Sequence, residues 1–229
     1  MDNTFYKKIE ELFKNKQFET VKFEIDLLDE GDKRNPFIYN ILGIIEATNN
    51  NNAEAKKYFN LAIEIDKYYL QSLINLSNLS YIDKDFQNII ALFKNYHLKF
   101  PDNDRAILIL ADLCFSAGFI EETIHFHKKL IKIGKYQKKD LAALIFLLNY
   151  SDKYSDEEYK KYCKIYDEIL LKNKINYNIS NNEHDKAKIG FLSYDLRDHS
   201  VGYFLKDFIK KLNEKNLKTI AFNLFKSNK

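Results

Sequence analysis

The residues best equipped for chemistry in this chain lie together in one short segment, Tyr194-Asp195-Leu196-Arg197-Asp198-His199-Ser200. An imidazole can accept a proton near neutral pH, a guanidinium can hold an anion, and carboxylates and a hydroxyl can bond the hydroxyl groups of a ligand. His199 and Asp195 are therefore the candidate catalytic residues. The same segment also suits a structural role. Ser200 can cap a following helix, Asp195 and Asp198 can favour its start electrostatically, and His199 can be an ordinary surface side chain. No metal site is expected elsewhere, since His125 and His127 are two apart on a helix and face different ways, and His127 reads as a core residue. Cys114 and Cys163 lie on separate helices without ligand spacing and read as reduced structural thiols.

Flanking elements must hold that segment. Lys188–Ser193 is a short apolar strand, 201–212 a helix with Phe204, Leu205, Phe208, Ile209 and Leu212 on one face, and 217–225 a second apolar strand. Strand, helix, strand is the unit of a parallel sheet, and in such sheets ligands sit at the carboxyl ends of the strands, beside the helix amino terminus. Residues 174–187 are polar and read as a linker.

Upstream, a gap-free period of 34 residues runs through registers beginning at Asp2, Pro36, Leu70 and Asp104. Tyr39, Leu42, Gly43, Ala55, Phe59 and Ala62 recur in type as Leu73, Leu76, Ser77, Ile89, Phe93 and Tyr96, followed by Pro101. They recur again as Ile107, Leu110, Ala111, Thr123 and Leu130, and more weakly upstream as Phe5, Ile9, Leu12, Val21, Ile25 and Leu28. This is the pattern of tetratricopeptide repeats, helical hairpins stacked in a solenoid. Gly43, Ser77 and Ala111 must be small because the second helix crosses there, while Phe59 and Phe93 fill the gap between hairpins. Asn49 to Asn52, Lys84-Asp85 and Gly118 mark the reversals. Residues 1–137 thus form four repeats. Residues 138–173 form two capping helices, the second starting with a capping box at Ser155-Asp-Glu-Glu158. The expected fold is mainly α, a tetratricopeptide-repeat helical solenoid followed by a short, incomplete α/β segment at 188–229. Its partners are expected to be proteins or peptides on the concave face of first helices, where Asn40, Asn75 and Asn78 can bond a peptide backbone. The chain is also rich enough in Asn for that placement to arise by chance.

Composition narrows the alternatives. A net charge of +3 is too small to imply nucleic acid, and the lysines are interspersed with acids. Basic residues gather only in the last segment, with ten Lys or Arg against four Asp or Glu from Lys186 to Lys229. The longest apolar run, Leu141 to Leu148, falls far short of the roughly 20 residues that span a membrane, and Asp2-Asn3 is no signal-peptide start. The chain reads as cytoplasmic, without membrane partners.

The segment Lys188-Ile-Gly-Phe-Leu-Ser-Tyr-Asp-Leu-Arg-Asp-His-Ser-Val-Gly-Tyr-Phe-Leu205 resembles the opening of the catalytic region in the O-GlcNAc transferase and SPINDLY family of glycosyltransferases. Leu148-Asn-Tyr-Ser-Asp152 and the helix after Ser155 resemble that family's passage from its repeats to its catalytic region. The resemblance is loose over the whole chain and more specific over 144–225. It implies transfer of a sugar from a nucleotide sugar to Ser or Thr of a protein threaded along the solenoid. It also implies that His199 is an active-site proton acceptor, that Asp195 shapes the loop and that Ser193 ends the strand. Members of the family continue through further strands and a second nucleotide-binding domain, whereas this chain ends near Phe225. The groups that hold the uridine diphosphate of the donor are therefore expected to be absent, so that the isolated chain has no cofactor and does not transfer sugar.

Overall fold

A computed structural model describes residues 3–171, 188–196, 198–215 and 217–223. The expected linker, Arg197 and the end of the second strand lie outside them. The chain divides into two compact units, Met1–Lys174 and Ile175–Lys229.

The first unit is a stack of helical hairpins. The first pairs α1 (Asn3–Lys14) with α2 (Phe18–Asp26), and a single turn, α3 (Glu30–Lys33), follows it. Next come α4 (Pro36–Thr48) with α5 (Asn52–Ile65), and α6 (Leu70–Asp83) with α7 (Gln87–Lys99). The last two pairs are α8 (Asp104–Ser116) with α9 (Ile120–Lys132), and α10 (Lys138–Leu148) with α11 (Asp156–Leu171). The starts of α4, α6, α8 and α10 are each 34 residues apart, so the expected capping pair continues the period as a fifth hairpin. Each second helix packs on the next first helix, and α4, α6 and α8 touch in succession.

One backbone device recurs at this interval. Lys16, Asn50, Lys84 and Gly118 all have positive φ, 58°, 63°, 57° and 81°, and each lies at the reversal inside a hairpin. The fifth reversal is longer and is held from α9: Glu121 accepts hydrogen bonds from Ser151 and, at 3.0 Å, from the Tyr154 hydroxyl. Helix starts are fixed locally. Asn35 Oδ1 accepts from Phe37 N at 2.9 Å with Pro36 in the first turn, and Asn103 Oδ1 accepts from Ala106 N at 2.9 Å.

Packing follows the repeat. Phe59 and Phe93 are essentially fully buried, and His127, 34 residues beyond Phe93, is 5% exposed in the same place. A Cβ on Gly43 would lie 2.5 Å from Phe59 Cε1, so the aromatic ring occupies the space a side chain would need. Ion pairs join successive second helices from lysines one period apart, Lys94–Glu122 at 2.8 Å and Lys128–Glu158 at 2.5 Å. Lys22 of α2 reaches Glu46 of α4 at 2.8 Å, and Asn51 donates to the same carboxylate at 2.9 Å. Cys114 is buried, and desolvation together with Glu122 pushes its thiol up to about 12, which leaves it an inert structural thiol as expected.

In the second unit, β1 (Lys188–Ser193) and β2 (Lys218–Asn223) pair in parallel, Lys188 opposite Lys218 through Ser193 opposite Asn223, with α12 (Ser200–Glu214) between them in sequence. The expected apolar face of this helix is split. Leu205, Ile209 and Leu212 are half-buried, while Phe204 and Phe208 are exposed. Among the described residues, no helix is long and apolar enough to cross a membrane.

Replacing Gly43 with Ala is expected to destabilise the chain by about 1–3 kcal/mol, because the buried Phe59 ring has nowhere to retreat; urea unfolding that leaves the midpoint unchanged would refute the crossing constraint. The carboxyl of Glu46 is held below its ordinary value by the Lys22 and Asn51 hydrogen bonds. Its stabilising contribution is thus complete above the unfolded value of 4.5 and lost as pH falls through the folded one. Glu46→Gln is expected to flatten the fall of stability with acid below that value, and an unchanged slope in acid-unfolding curves would count against the contact.

Candidate functional site

Two places bring the candidate residues into view. On the helical unit, residues of equal register share one face of the stack. Asn40, on α4, is buried at 3% exposure, and its Oδ1 accepts from Ser72 Oγ at 3.0 Å and from Asn75 Nδ2 at 2.8 Å. The Asn40 carbonyl therefore ties α4 to α6 rather than facing a ligand, and the Asn75 amide is spent on the same link. Asn78, also on α6, is exposed.

The register of Asn78 continues as Asp112 on α8 and Phe146 on α10, both exposed. Beside them a cavity of about 360 Å³ opens between α8, α9 and α10, with Asp112, Phe115, His127, Lys139, Asp140 and Phe146 in its walls. Asp140 is buried, and its Oδ2 accepts from the backbone of Gln137 at 2.7 Å. Desolvation of its carboxyl raises Asp112 although the residue stands at an exposed rim, and the Asp140 carboxylate adds to the rise while Lys139 opposes it. Desolvation lowers His127, which stays neutral, and its Nδ1 is buried without a partner. Composition alone does not mark this cavity. The signal that could have marked it was the substitution of His127 into the aromatic column of Phe59 and Phe93.

On the α/β unit, β1 ends at Ser193 and α12 begins at Ser200, so the segment between them lies at the carboxyl end of a parallel strand. Ser193 Oγ accepts from Asp195 N at 3.1 Å, which bends the chain out of the strand. The helix cap is His199, not Ser200. Its backbone is extended, and Nδ1 accepts from Val201 N at 3.3 Å. Asp195 Oδ2 lies 3.9 Å from the same nitrogen, near but beyond hydrogen-bond length. In this arrangement the neutral ring carries its proton on Nε2, which can donate to a ligand. Accepting a proton at Nε2 requires the Nδ1–H tautomer, with Nδ1 turned from Val201 towards Asp195. The two expected catalytic residues are therefore brought together, with His199 arranged as a donor.

Among the described residues, no group of three or more His, Cys, Asp or Glu could hold a metal ion. His125 is exposed and His127 buried, on opposite sides of α9.

No protein-family model matches the chain, and no curated protein does. Among solved structures, it resembles MamA residues 41 to the end from Desulfovibrio magneticus RS-1, with 12% identity, a TM-score of 0.57 and coverage of 75% of this chain and 96% of that one. It also resembles PilF of Pseudomonas aeruginosa, with 13% identity, a TM-score of 0.55 and coverage of 72% and 75%. These likenesses show a tetratricopeptide-like helical fold. An O-GlcNAc transferase mutant from Thermobaculum terrenum aligns at 14% identity over 88% of this chain and 39% of its own. Its TM-score of 0.48 is too low to bear on activity.

Proposed function

We propose that the helical unit is a protein-binding scaffold that holds an extended segment of another polypeptide along the face built by α4, α6, α8 and α10. The observation that carries this reading is the continuity of exposed groups across that face. Asn78 and Tyr81 on α6 are followed by Asp112 and Phe115 on α8 and by Phe146 on α10. Burial raises the Tyr81 hydroxyl, with Ser116 of α8 opposing and Asp112 of α8 adding to the rise, so neighbouring helices share one surface. Exposed aromatic and hydrogen-bonding side chains in a row suit a peptide, whose backbone offers a donor and an acceptor at every residue. A photo-crosslinking residue at Asn78 is expected to capture protein partners in cells, whereas one at Asn95, exposed on α7, is not. Equal capture from both positions would sink the assignment of the face.

A second reading adds chemistry, and the observation favouring it is the Asp195–His199 pair at the carboxyl end of β1. In this reading the chain is the amino-terminal part of a protein O-glycosyltransferase of the O-GlcNAc transferase and SPINDLY class, acting on Ser or Thr of the bound partner with a uridine diphosphate sugar as donor. His199→Ser is the informative variant, because serine keeps a helix-cap acceptor while removing the imidazole. Sugar transfer to a serine peptide by the full-length protein is expected to fall by about 10²–10⁴-fold, the usual contribution of a proton-transferring side chain. Transfer at the wild-type rate would refute the role of His199.

A further inference from the structure

We propose that the cavity between α8, α9 and α10 receives an arginine or lysine side chain of the bound polypeptide, with that partner's neighbouring apolar residue lying on Phe115 and Phe146. This inference rests on the scaffold reading and names what one part of the face selects.

The repeat changes in the wall of this cavity. Phe59 and Phe93 fill the equivalent place in the second and third hairpins, and the smaller, polar His127 stands there in the fourth, opposite Ala111. The substitution has a cost. Nδ1 of His127 is buried and unpartnered, and a buried polar group left unpaired is destabilising. A phenylalanine would avoid that cost, so the position departs from its own repeat in placing a polar ring in the cavity wall.

The walls supply what a basic side chain needs. Asp140 is fixed by its bond to Gln137 N, and Asp112 stands at the rim. Two carboxylates facing one space repel each other, and a cation placed between them relieves the repulsion. The other groups facing them are the exposed Lys139, the neutral His127 and the Tyr81 ring beyond Asp112, so the balance of charge is acidic. Phe115 and Phe146 are 51% and 57% exposed and offer ring faces to a guanidinium or to a long aliphatic stem. An acidic side chain would add to the repulsion, and a purely apolar one would bring no counter-charge to Asp112. A free polyamine would satisfy them without using the surface that continues to Asn78 and Tyr81.

The test is a titration of the isotope-labelled full chain with acetylated, amidated pentapeptides Ser-Gly-Xaa-Leu-Ser, where Xaa is Arg, Gln or Glu, and with spermidine. Amide shifts are expected in α8, α9 and α10, with the Arg peptide binding about tenfold tighter than the Gln peptide, the size of one charge-assisted contact. Asp112→Asn is expected to bring the two within about twofold. His127→Phe, which removes the polar ring from the wall, is expected to weaken the shifts while holding or raising the urea midpoint. Equal binding of Arg and Gln peptides, absence of any shift, or stronger binding of spermidine than of the Arg peptide would overturn the proposal, as would Arg-peptide shifts that persist unchanged in Asp112→Asn. Shifts confined to α4 and α6 would overturn the pocket alone and leave the scaffold, whereas capture failing at Asn78 would remove the scaffold itself.

Discussion

The helical unit depends on one close crossing, in which a small residue on the first helix of the second, third and fourth hairpins (Gly43, Ser77, Ala111) is in register with a ring on the second helix (Phe59, Phe93, His127). In the second hairpin the pair is Gly43 and Phe59, with no room for even a methyl group. That crossing requires a fixed phase between the two helices, and each residue turns a helix by about 100°. A reversal longer by one residue would swing Phe59 away from Gly43. Left-handed residues at 16, 50, 84 and 118 hold the phase by making each reversal the same. Two of these positions are lysine and one is asparagine, so the turn is kept even where glycine is not supplied. Cooperation between the helices of a hairpin, rather than the propensity of either, sustains the geometry.

The fifth hairpin shows what replaces the rule when it lapses. Its link from α10 to α11 is longer, and Glu121 of α9 holds Ser151 and Tyr154 instead. Side-chain bonds from the preceding hairpin thus take over from backbone conformation. This pins the last helix pair to the stack and explains why its chain between helices carries Ser and Tyr at fixed places.

The period, the small and aromatic columns and the strand-helix-strand order were legible because they are set by local spacing. The short helix α3 was not, since Leu28 fits the repeat yet Asp29 caps a new turn by accepting from Asp32 N at 2.8 Å. Asn40 looked like a ligand contact because composition does not distinguish an amide facing solvent from one that bridges two helices; only the neighbouring Ser72 and Asn75, 32 and 35 residues away, decide it. The cap of α12 turned on a rotamer: both His199 and Ser200 can accept from the helix start, and the extended backbone at His199 selects the imidazole. The fifth hairpin was readable by adding one more period to Asp104, but its altered turn obscured the register.

The two units differ in what their stability rests on, and this bears on function. The helical unit has buried apolar clusters along its length, whereas among the described residues of the α/β unit none is buried. The described residues of this unit form two strands and one helix, and two strands by themselves are at best marginally stable in water. Phe204 at 82%, Leu192 at 69% and Phe222 at 52% exposure leave apolar surface in water on both strands and helix. The His199 ring, with 42% of its side chain exposed, lies in an equally open setting. Proton transfer gains from fixed surroundings with water excluded, so chemistry at His199 requires that this surface be covered. Binding along the first helices has no such requirement, because its groups are already held by a packed core. On the proposed readings, recognition and chemistry are therefore physically separable: the first would use groups held by the packing of α4 to α10, and the second would depend on burial of the α/β unit.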